Sequence, residues 1–443
     1  MKTNLCEEWA QRDSQSLAKC AKISYYPFVM KKGSGSIVED VDGNSFIDFL
    51  SSAACLNLGH AHPKIIAAVS EQMQDFSHYT TAYFYNTKAV EMAERLIQVT
   101  PGSFEKRVVF GMTGSDSNDG AIKFARGFTG RNKIIAFKGA YHGATYGALS
   151  LTHISLNMRR KLGSAIDDIF AFDYPNTYHN GPEDAERCIK QIKDAFASYL
   201  PADEVAAIIL EPIQGDAGII VPPKQFMQDL YALCQEHGIL FVSEEVQQGF
   251  CRTGKWFGID NFDVVPDMVI LGKPIGGGMP LSAVVGRADV MNSLDAPAHL
   301  FTHSGNPVSC AAGLATIEVL SEPGFLDAVN EKGQLIQNLF KKMQEKYQVI
   351  GDVRGLGLSI AVELVEDRAT KAPAKQAAAK ICYQAWRKGL ILITLAGNVL
   401  RIQPPLIVTE EEIRKALTIL EECFADLEAG KISDEALDVI KGW

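Results

Sequence analysis

Short apolar runs recur through the middle of the chain. They are Arg107-Val108-Val109-Phe110, Ile134-Ile135-Ala136-Phe137, Val205-Ala206-Ala207-Ile208-Ile209-Leu210, Ile239-Leu240-Phe241-Val242 and Met268-Val269-Ile270-Leu271. Runs this short, closed by glycine, proline or a polar residue, predict strands rather than helices. Between them, residues 117–128 and 225–237 carry the spacing of amphipathic helices. Continuous apolar strands alternating with helices predict parallel β-α-β units. Ligands of such sheets lie beyond the carboxyl ends of the strands. The polar residues just after each run are therefore the first candidates for chemistry.

The flanks read differently. Residues 36–48 place Asp42-Gly43-Asn44 between two β-like runs, a hairpin signal. After about residue 320 the chain turns helical and charged, interrupted by the strand-like stretches 358–363 and 399–402. Residues 370–375 predict a surface loop, and there is no internal repeat or low-complexity segment. The resulting division is an N-terminal arm with part of a small domain (1–62), a large ligand-binding domain (63–320) and a C-terminal α+β small domain (321–443).

Composition narrows the partners. A chain of 443 residues, 47% hydrophobic and 22% charged, can bury more than one core. Its net charge of −10 argues against nucleic acid, which needs a basic face. No apolar leader opens the sequence, and no run approaches the roughly 18 apolar residues of a membrane helix. Nine scattered cysteines without a CxxC spacing read as reduced thiols of a cytoplasmic protein, not as a disulfide framework or zinc site. His60-Ala61-His62, with no nearby Cys or carboxylate partner in the sequence, reads as a structural turn, and no metal site is expected.

Three strand ends stand out. Gly111-Met112-Thr113-Gly114-Ser115 opens a helix, and free N–H groups there suit a phosphate. Ser243-Glu244-Glu245 follows the run ending at Val242; a carboxylate there can hold a positive charge in a dry cleft, or can simply cap a helix. Lys273 stands between a buried strand and Gly276-Gly277-Gly278. The glycines allow close approach of a bound group, and a buried amine can lose the proton that imine formation requires.

These motifs, taken in order, resemble the class III aminotransferase family of fold-type-I pyridoxal phosphate enzymes. The resemblance runs from Asp42-Gly43-Asn44 through Gly59-His60-Ala61-His62-Pro63, Thr113-Gly114-Ser115 and Tyr141-His142-Gly143. It continues with Glu211-Pro212-Ile213-Gln214-Gly215, residues 245–254, Gly272-Lys273 and Gly305-Asn306-Pro307. It implies an α/β fold with a mainly parallel seven-stranded sheet in the large domain, a smaller α+β domain, and pyridoxal 5′-phosphate as cofactor. In that likeness Lys273 is the Schiff-base lysine and the base at Cα. Gly114 and Ser115 form the phosphate cup, Tyr141 stacks on the ring, and Gln247 lies near the phenolic oxygen. Thr302 reaches the phosphate of a neighbouring subunit, which implies a homodimer with shared active sites; the pairing of dimers into tetramers stays open. Glu244 stands where the family has an aspartate for the pyridine nitrogen, and Cys251 where it usually has glycine.

The reaction turns on a few positions. Ala144 replaces the arginine with which 4-aminobutyrate aminotransferases hold a distal carboxylate. Asp216 replaces the family's gate glutamate, whose arginine partner matches Arg401. Either Asp216 pairs with Arg401, or it is a second base while Arg401 binds the α-carboxylate. Residues 155–158, 293–302, 393–398 and 403–406 resemble amino-acid 2-epimerases and racemases of the same superfamily. The likeness therefore implies deprotonation and reprotonation at Cα of an amino acid with an apolar or branched side chain. The other reading is an aminotransferase for an amine or ω-amino acid. Tyr25, Tyr26 and residues 78–84 either wall the substrate pocket or pack in the core.

Overall fold

The computed structural model describes residues 1–23, 25–163 and 165–442. It divides into two units, one made of residues 1–62 and 327–443, the other of residues 63–326.

The first unit begins with an antiparallel meander of β1 (Met30–Ser34), β2 (Ile37–Asp40) and β3 (Ser45–Asp48). The predicted hairpin is β2–β3, with Val38 facing Phe46. Asp40 locks its turn by accepting the N–H groups of Asp42 and Asn44 at 3.0 and 2.8 Å.

The second unit carries the seven-stranded sheet. Its strands are β4 (Lys106–Gly111), β5 (Lys133–Phe137), β6 (Ile169–Phe172), β7 (Val205–Leu210), β8 (Leu240–Glu244), β9 (Met268–Leu271) and β10 (Ser282–Arg287). The order across the sheet is β4-β10-β9-β8-β7-β5-β6. Only β10 opposes its neighbours, β4 and β9; the other pairings are parallel. Every residue of β7, β8 and β9 is buried, which is why these strands are apolar throughout rather than alternating. The sheet core includes Ile134, Ala207, Val242 and Ile270, against which Ala121, Ile122 and Phe124 of the helix Gly114–Thr129 pack.

The chain re-enters the first unit and adds β11 (Ile350–Leu356), β12 (Ser359–Asp367), β13 (Ala372–Pro373), β14 (Leu390–Ile391), β15 (Ile393–Leu395) and β16 (Val399–Ile402). β11-β12-β16-β15 form one sheet, and β14 joins the meander by pairing in parallel with β3. Two of the predicted loop residues, 372 and 373, instead pair with β12 as β13.

Two expectations are corrected. β8 does not stop at Val242 but continues through Ser243 and Glu244, whose register partners are Val269 and Ile270. No helix begins at Glu245; turns follow. The His60 motif also has a carboxylate neighbour after all: Nε2 meets Asp48 Oδ2 at 2.8 Å. The described residues contain no helix long and apolar enough to cross a membrane.

Candidate active site

Five carboxyl ends of the parallel strands deliver the site. β4 leads through the cap Thr113 to Gly114 and Ser115, and β5 leads to Tyr141. β7 leads to Glu211 and Asp216, β8 ends on Glu244 and leads to Gln247, and β9 leads to Lys273. Parallel strands present these ends on one edge of the sheet, so residues 114 to 273 meet there although far apart in sequence.

The anion cradle is the N-terminus of the helix Gly114–Thr129. Thr113 Oγ1 takes the Asp116 N–H, and Asp116 returns the favour to Met112 and Thr113. Ser282 Oγ donates to Asp116 Oδ1 at 2.9 Å and receives the Ser117 hydroxyl at 2.7 Å, which stiffens the cap. The first N–H groups of a helix have no acceptor within it, so those of Gly114 and Ser115 suit a phosphate. Glycine is required nearby as well. A Cβ on Gly114 would stand 2.8 Å from Val246, and one on Gly143, whose φ is +140°, would stand 2.1 Å from Ser115 Oγ.

Lys273 sits at φ +42°, a left-handed conformation that costs a non-glycine residue about 1 kcal/mol or more. Among the glycines after it, Gly277 is closely packed: a Cβ there would meet Ile65 and Thr316 at 2.6 Å. Acidic side chains surround the lysine. Burial holds the Glu244 carboxyl well above the usual carboxylate range, and the Glu211 charge adds to this while the Lys273 ammonium opposes it. Burial also raises Glu211; the N–H groups of Gly215 and Tyr141 pull it back at 2.7 and 3.0 Å, Asp216 pushes it up, and Lys273 pulls it down. Burial, then the charges of Asp216 and Glu244, raise the Tyr141 phenol. These interactions bring Lys273, Asp216, Glu244 and Tyr141 into one electrostatic cluster.

Glu244 accepts the Val246 N–H on Oε1 at 3.1 Å, and its Oε2 lies 3.8 Å from His142 Nδ1. Burial drives the His142 imidazole down to about 3, so it is neutral. Neither of its ring nitrogens has a hydrogen-bond partner among the described residues. Gln247 donates from Nε2 to Asp216 Oδ1 at 3.2 Å. Gly215 makes room for this, since a Cβ there would stand 2.3 Å from Gln247 Oε1. Cys251 is buried at φ +69°, a conformation better suited to glycine.

The remaining predicted residues lie elsewhere. Thr302 is exposed in a turn of the same unit. Arg401 belongs to the other unit, on β16, where it is 2% exposed. Tyr25 and Tyr26 commit their hydroxyls to the carbonyls of Thr394 and Leu392 at 2.8 and 2.9 Å, and Tyr26 stacks on Trp386, which is packing. Glu211 has a structural role that sequence reasoning missed, because Glu211-Pro212 reads as a strand stop. Its position immediately after a buried strand was the available signal.

The donor set fits pyridoxal phosphate: helix N–H groups for the phosphate, an amine for the aldehyde, a carboxyl for the ring nitrogen, and buried polar atoms without partners. Cofactor chemistry of the fold-type-I kind is thus what the site defines. The family model for class III aminotransferases matches residues 20–424, and the chain belongs to that family. It is 45% identical over 427 residues to isoleucine 2-epimerase of Lentilactobacillus buchneri, covering 95% of each chain. It is 43% identical over 443 residues to leucine/methionine racemase of Thermococcus litoralis, covering 99% of each. An amine transaminase from an uncultivated Pseudomonas species, solved in its pyridoxal-phosphate-bound form, superposes with a TM-score of 0.84 at 29% identity; the match covers 93% of this chain and 96% of that one. The chain is an enzyme, and its cofactor is pyridoxal phosphate.

Proposed function

We propose that the chain is an amino-acid 2-epimerase or racemase acting on apolar, branched side chains such as that of isoleucine. When bound, pyridoxal phosphate supplies an electron sink for the charge left at Cα. The residues of the chain do the rest. Gly114 and Ser115 hold the phosphate, Tyr141 covers the ring, and Glu244 and Gln247 address the ring nitrogen and the phenolic oxygen. Arg401 receives the substrate carboxylate. Lys273 moves the Cα proton on one face and Asp216 moves it on the other. The observation that carries this reading is Asp216 itself: a buried carboxylate oriented by Gln247 within the cluster around Lys273. Inversion needs either a second acid/base group opposite the lysine or a lysine able to serve both faces, and Asp216 supplies the first; transamination needs no group on the opposite face.

The chain works as a homodimer with shared sites in the cytoplasm. The exposed Thr302 and the exposed aromatic rings of Tyr79, Tyr83, Phe84 and Tyr85 support an interface. Nine free cysteines, seven of them buried, support a reducing compartment. Aminotransfer is the second reading, favoured by the likeness to the amine transaminase.

The deciding experiment incubates holoenzyme with L-isoleucine in deuterated water without a keto acid. Product inverted and deuterated at Cα is expected. Amino transfer that depends on added keto acid, without inversion, refutes the proposal in favour of the second reading. Asp216→Asn should lose inversion by roughly two orders of magnitude or more while keeping the visible absorbance of the bound cofactor. Near-full inversion would remove Asp216 from the mechanism. Borohydride should fix the cofactor to Lys273.

A further inference from the structure

Arg401 is held by a chain of neutral groups that the motifs did not point to. Its Nε donates to Gln403 Oε1, and Gln403 Nε2 donates to Ser359 Oγ at 2.8 Å. The direction is fixed by chemistry. A guanidinium only donates, so the amide oxygen must face it and the amide nitrogen must face the serine. Gln403 and Ser359 are completely buried. Gln403 is also immobilised through its backbone, with its N–H on Phe49 O at 2.9 Å and its carbonyl accepting the Ser51 hydroxyl at 2.7 Å.

The segment that grips it is itself unusual. Ser51, Ser52, Ala53 and Ala54 have φ of 46°, 52°, 57° and 65°, a left-handed turn built without glycine. L-residues without glycine's freedom are disfavoured there, so the turn persists only because its surroundings impose it. Asp48 helps by accepting the N–H groups of Leu50 and Ser51 at 2.8 and 2.9 Å, and is itself backed by His60.

We propose that Gln403 is a positioning residue that presets Arg401 for the substrate's α-carboxylate, with Ser359 and the left-handed turn at 51–54 as its anchor. The proposal rests on the assignment of Arg401 as the carboxylate dock. Gln403 occupies the single Nε–H; the other four donors belong to the two Nη groups, which form the edge suited to a bidentate carboxylate. A neutral amide orients the guanidinium without adding a negative charge that would compete with the substrate. It also spares the binding step the entropy of ordering a long side chain.

The test uses holoenzyme and two probes that each carry half of isoleucine. 3-Methylpentanoate has the carboxylate without the amine, and its Kd is read by calorimetry. 2-Methylbutylamine has the amine without the carboxylate, and its binding is read from the visible absorbance of the cofactor. Gln403→Met should raise the Kd for 3-methylpentanoate, and the KM for L-isoleucine, by about tenfold or more, with amine binding unchanged. Ser359→Ala should move the same constants in the same direction by about threefold, which keeps the test open if the methionine variant folds poorly. Equal losses for both probes would reduce Gln403 to a structural residue and overturn the proposal. Unchanged carboxylate binding in both variants, with Arg401→Gln still losing it, overturns this proposal alone. Unchanged binding in Arg401→Gln as well overturns the assignment of Arg401.

Discussion

Replacing Glu211 by glutamine changes one atom and should loosen two active-site segments at once. The carboxylate is 3% exposed and accepts one backbone N–H on each oxygen, that of Tyr141 at 3.0 Å and that of Gly215 at 2.7 Å. It therefore ties the segment carrying Tyr141 to the turn carrying Asp216. Glutamine keeps the shape but has one acceptor, and its NH2 must face one of the two N–H donors. A hydrogen bond to a charged group contributes about 1.5–3 kcal/mol, and a buried N–H left without a partner costs about 1–3 kcal/mol. Against this, the neutral amide no longer needs a charge to be buried beside Asp216, which offsets part of the loss. The direct losses win, because both donors are backbone groups that cannot turn elsewhere; we expect a net loss of about 2 kcal/mol. Hydrogen exchange on the holoprotein, followed by mass spectrometry, should show peptides over residues 138–146 and 211–219 exchanging about thirtyfold faster. The helix Pro63–Asp75 should be unaffected. Unchanged exchange in both windows would refute the clamp.

Two further outcomes follow from the same environment. Burial pushes the Glu245 carboxyl up to about 8, although it accepts hydrogen bonds from Ser243, Gly258 and Ile259. The folded chain then holds this proton more tightly than the unfolded chain, so stability is full below the ordinary carboxyl range and falls as pH rises toward 8, by up to about 1.4 kcal/mol per unit. Thermal unfolding scans should show that fall, and Glu245→Gln should flatten it; parallel profiles for the two proteins would contradict the assignment. Gly143→Ala should cut cofactor retention at least tenfold on gel filtration, since its Cβ would lie 2.1 Å from Ser115 Oγ at a φ of +140°. Full retention would show that the cradle yields.

The central strands were legible because their burial on both faces leaves continuous apolar runs. β10 was not, since Ser282 and Gly286 dilute its run although it is almost wholly buried. β6, Ile169–Phe172, is a four-residue strand at the sheet edge, of which only Phe172 is buried. Glu244 marks a different limit. Polarity suggested that the strand stopped before it, yet strand pairing is made by backbone groups that do not depend on the side chain. The wrong boundary came from taking the first polar residues after an apolar run as the end of the strand. His60 shows the reverse error, for its partner Asp48 lies twelve residues earlier and is brought close only by the fold.

The strand-end residues of the candidate site were legible as motifs, but the neutral groups that orient Asp216 and Arg401 were not, and the reason is chemical. Gln247 donates an N–H to Asp216, and Gln403 accepts an N–H from Arg401. The same side chain thus serves an acid from its nitrogen and a base from its oxygen. A charged partner would hold either group more firmly but would also cancel the charge that substrate or proton must meet. A neutral amide fixes direction and leaves charge in place, so glutamine is the side chain to expect beside a reactive ion that must stay reactive. Sequence cannot reveal which end of the amide is used, nor that Gln247 meets Asp216 across 31 positions. That information lies in the ends of β7 and β8 and in the register of β12 against β16, where the fold brings the pairs together.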